Sequence, residues 1–176
     1  MLRIRALTMP ADAEEPGRTG EEFRAFWALS RRWTDDRFGP GIVASSPPEF
    51  LVGHTSSRAE GVAALGAFEQ DVLVGAGVMW LPLSESTTTA DTAVRADPRL
   101  DEPGRIAVIE ALTDAVLADA HARGRTTVMA GSPASARGPL LAATGFGGVD
   151  PAEPEASALL RRGFALQQVY RLSTLE

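Results

Sequence analysis

Apolar and charged positions alternate over residues 2–8, the period of a half-buried strand. A loop rich in acid, Pro and Gly follows, and Thr19 or Gly20 ahead of Glu21 and Glu22 marks a helix start. Phe23, Phe26, Trp27, Ser30 and Trp33 recur at helical spacing, so residues 21–33 are predicted as an amphipathic helix with an aromatic stripe in the core. Residues 35–46 hold Gly39-Pro40-Gly41 and read as loop. Residues 47–52 suit a short second helix with proline in its first turn. His54, just beyond, reads as a solvated loop histidine, with catalysis as the alternative.

The clearest pattern lies in residues 61–82. Two apolar runs, 62–68 and 72–80, flank Glu69-Gln70-Asp71 and predict a hairpin buried on part of both faces. The Thr-rich segment 87–95 is expected as a third strand, stopped by Asp97-Pro98. From Pro103 the period changes: Ile106, Ile109, Leu112, Val116, Leu117 and Ala120 form one stripe of a long helix, with Gly124 at its C′ position. His121, in its last turn, reads as a surface residue compatible with the helix dipole. Residues 126–130 are a short β-branched strand, so strand, helix and strand make a right-handed parallel crossover. Two similar helix-like endings follow, at residues 140–146 and 159–164, and residues 165–172 alternate as a final strand. The only tyrosine, Tyr170, is expected in that strand, in a core or an interface.

Composition narrows the chemistry. The 176 residues make one domain's worth of chain, expected to bury roughly two-thirds of the unfolded surface. There is no Cys, which excludes disulfides, thiolate metal sites and thiol nucleophiles. Every one of the 17 basic residues is Arg, so Schiff-base chemistry and a Walker-type phosphate lysine are excluded too. A net charge of −6 argues against nucleic acid as a partner. No stretch approaches the roughly 18 consecutive apolar residues of a membrane span, and the N-terminus lacks a signal peptide's pattern, so a cytoplasmic protein is expected.

The order of elements resembles the GNAT N-acetyltransferase fold, an α/β architecture with a mixed central sheet flanked by helices. Three segments carry the resemblance: residues 62–81 as the β2–β3 hairpin, 93–124 as the strand–helix unit that grips acetyl-CoA, and 159–164 as the fourth helix. The C-terminal run Gly163-Phe164-Ala165-Leu166-Gln167-Gln168 is similar to the close of the N-terminal half of actinobacterial tandem-GNAT proteins. A single GNAT-like domain over residues 1–176 is expected, either alone or as the first half of a longer chain.

What the resemblance implies is acetyl-CoA-dependent transfer of an acetyl group to the amine of a small molecule by direct attack. Acetyl-CoA is then the co-substrate, contacted by Ala93, Val94, Arg95, Gly104, Arg105, Ile106 and Ala107, with Asp91 as the base candidate. The helix start departs from the family's pattern of a Gln or Arg followed by spaced small residues: Asp101 stands where the basic residue belongs, Ile106 replaces the second glycine, and Pro103 removes an amide donor. Leu141 and Leu159 stand where the family commonly places a tyrosine acid. The alternative is a catalytically degenerate GNAT-fold module that binds a ligand, a second GNAT domain or a second copy of itself. Both readings expect the amides that open the long helix to sit in a wedge between two diverging strands.

Overall fold

The computed structural model describes residues 1–43, 45–132 and 138–170, in two compact units, residues 1–131 and 132–176. The first unit runs β1 (Arg3–Leu7), α1 (Gly17–Phe38), α2 (Pro47–Gly53), β2 (Glu60–Glu69), β3 (Val72–Pro82), β4 (Thr89–Ala96), α3 (Glu102–Ala122) and β5 (Thr127–Ala130). Its sheet has the order β1-β2-β3-β4-β5, antiparallel throughout except for the parallel β4–β5 pair.

The predicted hairpin forms on a two-residue turn. Gln70 and Asp71 both have positive φ, +49° and +67°, which matches the twist of the flanking strands. β3 is the centre of the sheet, with every residue from Leu73 to Met79 buried. On one face, Phe23, Phe26 and Leu29 of α1 pack with Phe50 of α2 against Ala76 and Val78. The aromatic stripe is therefore core, as its spacing predicts.

On the other face α3 lies close to the sheet because β3 carries glycine there. A Cβ on Gly75 would stand 2.3 Å from Val108 Cγ1, and one on Gly77 would stand 2.6 Å from Val116 Cγ2. The α3 bounds agree with the predicted helix, and Gly124 takes φ +75° just past its end. α1 is longer than predicted at both ends. α2 starts as expected, with the Glu49 carboxylate accepting from the backbone N–H and the hydroxyl of Ser46.

The second unit departs from the sequence pattern in two places. Residues 140–146 are not the end of a helix: Leu140–Leu141 (β6) pairs antiparallel with Gly148–Val149 (β7), around a turn in which Gly145 and Gly147 have φ +78° and +76°. Glycines that adopt left-handed backbone favour a turn over a helix. Pro154–Arg161 forms α4, and Gly163 (φ +85°) follows its end. The predicted final strand is absent over described residues 165–170; residues 171 and 172 lie outside the described part. Exposure alternates only in part there, Gln167 and Gln168 both being exposed, and a pattern of faces supplies no partner edge. The Leu166 carbonyl accepts from the Ala143 N–H instead of joining a ladder. Tyr170 is exposed rather than in a core, and its hydroxyl donates to Gln168 Oε1.

Candidate functional site

β4 has different neighbours along its two edges. Towards β3 it is paired from Asp91 to Ala96. Towards β5 the pairing covers only Thr89 to Thr92, where the Thr92 carbonyl accepts from Gly131 N–H and its hydroxyl donates to the Met129 carbonyl. Beyond Thr92, that edge of β4 has no strand partner among the described residues.

Strand geometry then separates the predicted contact residues. The N–H and C=O of one strand residue point to the same side, and successive residues alternate. The Thr92 carbonyl faces β5, and the Asp97 N–H bonds the Val74 carbonyl on β3. Val94 therefore presents its N–H and C=O to the uncovered edge, whereas those of Ala93 and Arg95 are committed to β3. Side chains divide by face: Val94 shares the face of Gly77 and α3, while Asp91, Ala93 and Arg95 project on the α1 face.

The turn from β4 into α3 is built on a buried carboxylate. Asp97 is 2% exposed, and it accepts from Arg32 Nη2 (2.6 Å), Arg99 Nη2 (2.8 Å) and the Arg99 backbone N–H (3.1 Å). Burial pushes its carboxyl pKa up, but hydrogen bonds from Arg99 and Arg32 outweigh that and hold it at about 2. Four residues later Asp101 caps α3, its Oδ1 accepting from Gly104 N–H at 2.9 Å. Arg105 N–H goes to the Asp101 carbonyl, and Pro103 has no N–H. The opening turn thus leaves the Glu102 amide for an external anion, flanked by two exposed carboxylates. Arg105 is half-buried, with Nε unpartnered; Ile106 is half-buried and Ala107 exposed.

Two side chains on the α1 face were not singled out as a pair by sequence. Arg95 donates to Ser30 Oγ (2.9 Å) and lies over the Trp33 ring at 5.1 Å. Burial lowers its pKa, and no ion pair is formed with a described carboxylate. His54 is buried at 7% exposed, contrary to the solvated histidine expected. It sits four residues after Phe50 and stacks on that ring at 3.9 Å. Its pKa is lowered by burial, only partly offset by the hydrogen bond to the Phe50 carbonyl. The i, i+4 spacing of Phe50 and His54 is the signal that places them on one face.

Asp91 is half-buried and lies opposite Trp80 and Met129, in the stretch of β4 that β5 still covers. At about 3.3 Å per residue it stands roughly 10 Å along the strand from Val94. Gly104 and Arg105 lie in the opening turn of α3, whereas Val94 sits beside Gly77 where α3 presents Val116, well along the helix, and Asp91 lies further upstream on β4.

The chain matches no protein-family model and no curated protein. Solved structures do resemble it. A tandem GNAT protein from the clavulanic acid biosynthesis pathway superposes with a TM-score of 0.61 at 17% identity, covering 93% of this chain and 43% of that one. An aminoglycoside acetyltransferase from an uncultured soil metagenomic sample gives 0.60 at 15% identity, covering 99% and 97%. A ribosomal-protein-alanine N-acetyltransferase from Brucella melitensis biovar Abortus 2308 gives 0.55 at 15%, covering 100% and 99%. The strand order, the single parallel pair of β4 with β5 and these superpositions lead to one conclusion: the chain has the α/β fold of the GNAT acetyltransferases.

Proposed function

We propose that this chain binds acetyl-CoA along the uncovered edge of β4 and transfers its acetyl group to the amine of a small molecule by direct attack. The observation that carries this reading is the end of β4–β5 pairing at Thr92, which leaves the Val94 N–H and C=O without a strand partner among the described residues. A main-chain pair in that state suits an amide-bearing pantetheine arm, which can add to the edge as a strand would. Ala93 and Arg95 flank that contact, and Gly104, Arg105, Ile106 and Ala107 form the start of α3. The Arg99 and Arg105 guanidiniums are the cations at hand for the diphosphate. In the transfer, the amine nitrogen attacks the thioester carbonyl carbon, the C–S bond breaks, and the sulfur leaves as thiolate. The amine's proton passes to a base, for which Asp91 is the nearest carboxylate on β4. A cytoplasmic setting fits this co-substrate.

A second reading is favoured by the cap on α3. Asp101 already fills the Gly104 amide, so the helix end as it stands does not fit a diphosphate. On this reading the chain is a catalytically degenerate GNAT-fold module serving ligand binding, or docking to a second GNAT domain or a second copy. Thermal shift with acetyl-CoA, followed by turnover over a panel of small amines, separates the two. Ligand at about 100 times Kd stabilises by about 2.7 kcal/mol. A shift with turnover supports transfer, a shift without turnover supports the binding module, and no shift at millimolar acetyl-CoA removes the first reading.

A further inference from the structure

Where β4 runs under α1, N–H donors gather without an acceptor among the described residues. Ser30 and Trp33 stand three apart on α1 and share one face, and Arg95 meets both. Arg95 Nη1 donates to Ser30 Oγ at 2.9 Å, and its Cζ lies 5.1 Å from the centre of the Trp33 ring. Arg95 Nε and Trp33 Nε1 are buried and unpartnered. Arg95 Nη2 makes no bond to a described residue either but, unlike Nε, it is open to solvent.

No described carboxylate offsets this charge. Burial alone shifts the Arg95 pKa, downwards, with no acidic group acting against it. Elsewhere Glu22 pairs with Arg5, and Asp97 with Arg32 and Arg99. A guanidinium has only donors, and charges taken out of water are normally paired. His54 adds no second cation, because burial first and the Arg95 charge after it hold its pKa below the ordinary value. One uncompensated positive charge suits a monoanion, and a planar guanidinium suits a carboxylate. Asp91 projects on the same face of β4, four residues back or roughly 13 Å along the strand, with only the Ala93 methyl between them.

We propose that Arg95 Nη2 binds the carboxylate of a small amino acid whose amine lies towards Asp91. That this amino acid is the acceptor rests on the acyl-transfer reading; its binding through Arg95 does not.

The test uses the full chain without acetyl-CoA, ¹⁵N-labelled at the tryptophan indole, with Trp33 assigned by the signal missing from Trp33→Phe. It is titrated at neutral pH with 4-aminobutanoate, butanoate and 4-aminobutanamide. Both carboxylates are expected to move the Trp33 indole signal, with the amide binding at least about tenfold more weakly, the loss of a hydrogen bond to a charged group. Arg95→Gln is expected to weaken 4-aminobutanoate by at least about tenfold without lowering the urea midpoint, since no ion pair is broken. Arg95→Lys keeps the charge and is expected to bind within about tenfold of the parent. The proposal is overturned if the amide binds as tightly as the acid, or if Arg95→Gln binds 4-aminobutanoate as the parent does. Should Arg95→Gln fail to fold, acid against amide in the parent decides alone. With acetyl-CoA added, 4-aminobutanoate is expected to be acetylated with kcat/KM at least about tenfold above that of its amide. Acetylation of neither removes the acceptor role and leaves carboxylate binding standing.

Discussion

The Asp101 cap makes a direct test of where a diphosphate would sit. A phosphate oxygen that accepts from Gly104 N–H must occupy the place of Asp101 Oδ1, now 2.9 Å from that nitrogen. The displaced carboxylate would remain near the phosphate. A unit charge about 4 Å from another costs about 1 kcal/mol in water and about 4 kcal/mol at an effective dielectric of 20. Asp101 and Glu102 are exposed, so the lower figure applies. Asp101→Ser removes the charge yet keeps a capping oxygen, since serine caps about as well as aspartate. Thermal stability should therefore change by only a few tenths of a kcal/mol, while acetyl-CoA binds about five- to tenfold more tightly by titration calorimetry. The gain should shrink with added salt, because an exposed charge is screened. An unchanged affinity, with the fold intact, would refute the placement of the diphosphate at the start of α3.

Acid should unfold the chain in a window set by two carboxylates. Hydrogen bonds from Arg5, at 2.8 and 2.7 Å, lead the causes that hold the Glu22 carboxyl at about 2, below its ordinary 4.5. The folded pKa is the lower one, so this stabilisation is present above about pH 4.5 and is lost as pH falls towards 2, on the order of 3 kcal/mol in all. Asp97, held at about 2 against 3.8, adds a smaller contribution of the same sign. Glu22→Gln should lower the urea midpoint near neutral pH and flatten its dependence between pH 4.5 and 2; an unaltered acid limb would remove Glu22 from the account. Gly75→Ala tests the close seat of α3. Its Cβ would stand 2.3 Å from Val108 Cγ1 and 2.9 Å from Leu112 Cδ1, so overpacking of about 1–3 kcal/mol is expected in urea unfolding. A neutral result would mean that α3 lies farther from β3 than the structure has it.

Much of the framework follows from short-range pattern. The hairpin declares itself through two apolar runs around Gln70-Asp71, and α3 through a periodic stripe closed by Gly124. The crowded, acidic start of α3 was legible too, because a cap acts within one turn: Asp101, Pro103 and Gly104 meet whatever the rest of the chain does. The same reasoning failed at residues 140–146, where apolar spacing suggested a helix and backbone freedom at Gly145 and Gly147 made a turn. It also failed at residues 165–170, where partial alternation meets no partner strand among the described residues.

The local sequence determined where strands and helices begin, which faces turn inward, and the order that resembles the GNAT fold. Tertiary structure alone decided which polar groups ended up buried together. Arg32 reaches Asp97, and Arg95 reaches Ser30, each across 65 residues of chain. His54 became a core residue because Phe26 and Trp80 close over the ring that Phe50 stacks upon. The end of β4–β5 pairing at Thr92 is likewise a property of two strands and not of either sequence. Periodicity reports how a residue relates to its own element; desolvation and pairing depend on what a distant element brings, and no local pattern encodes that.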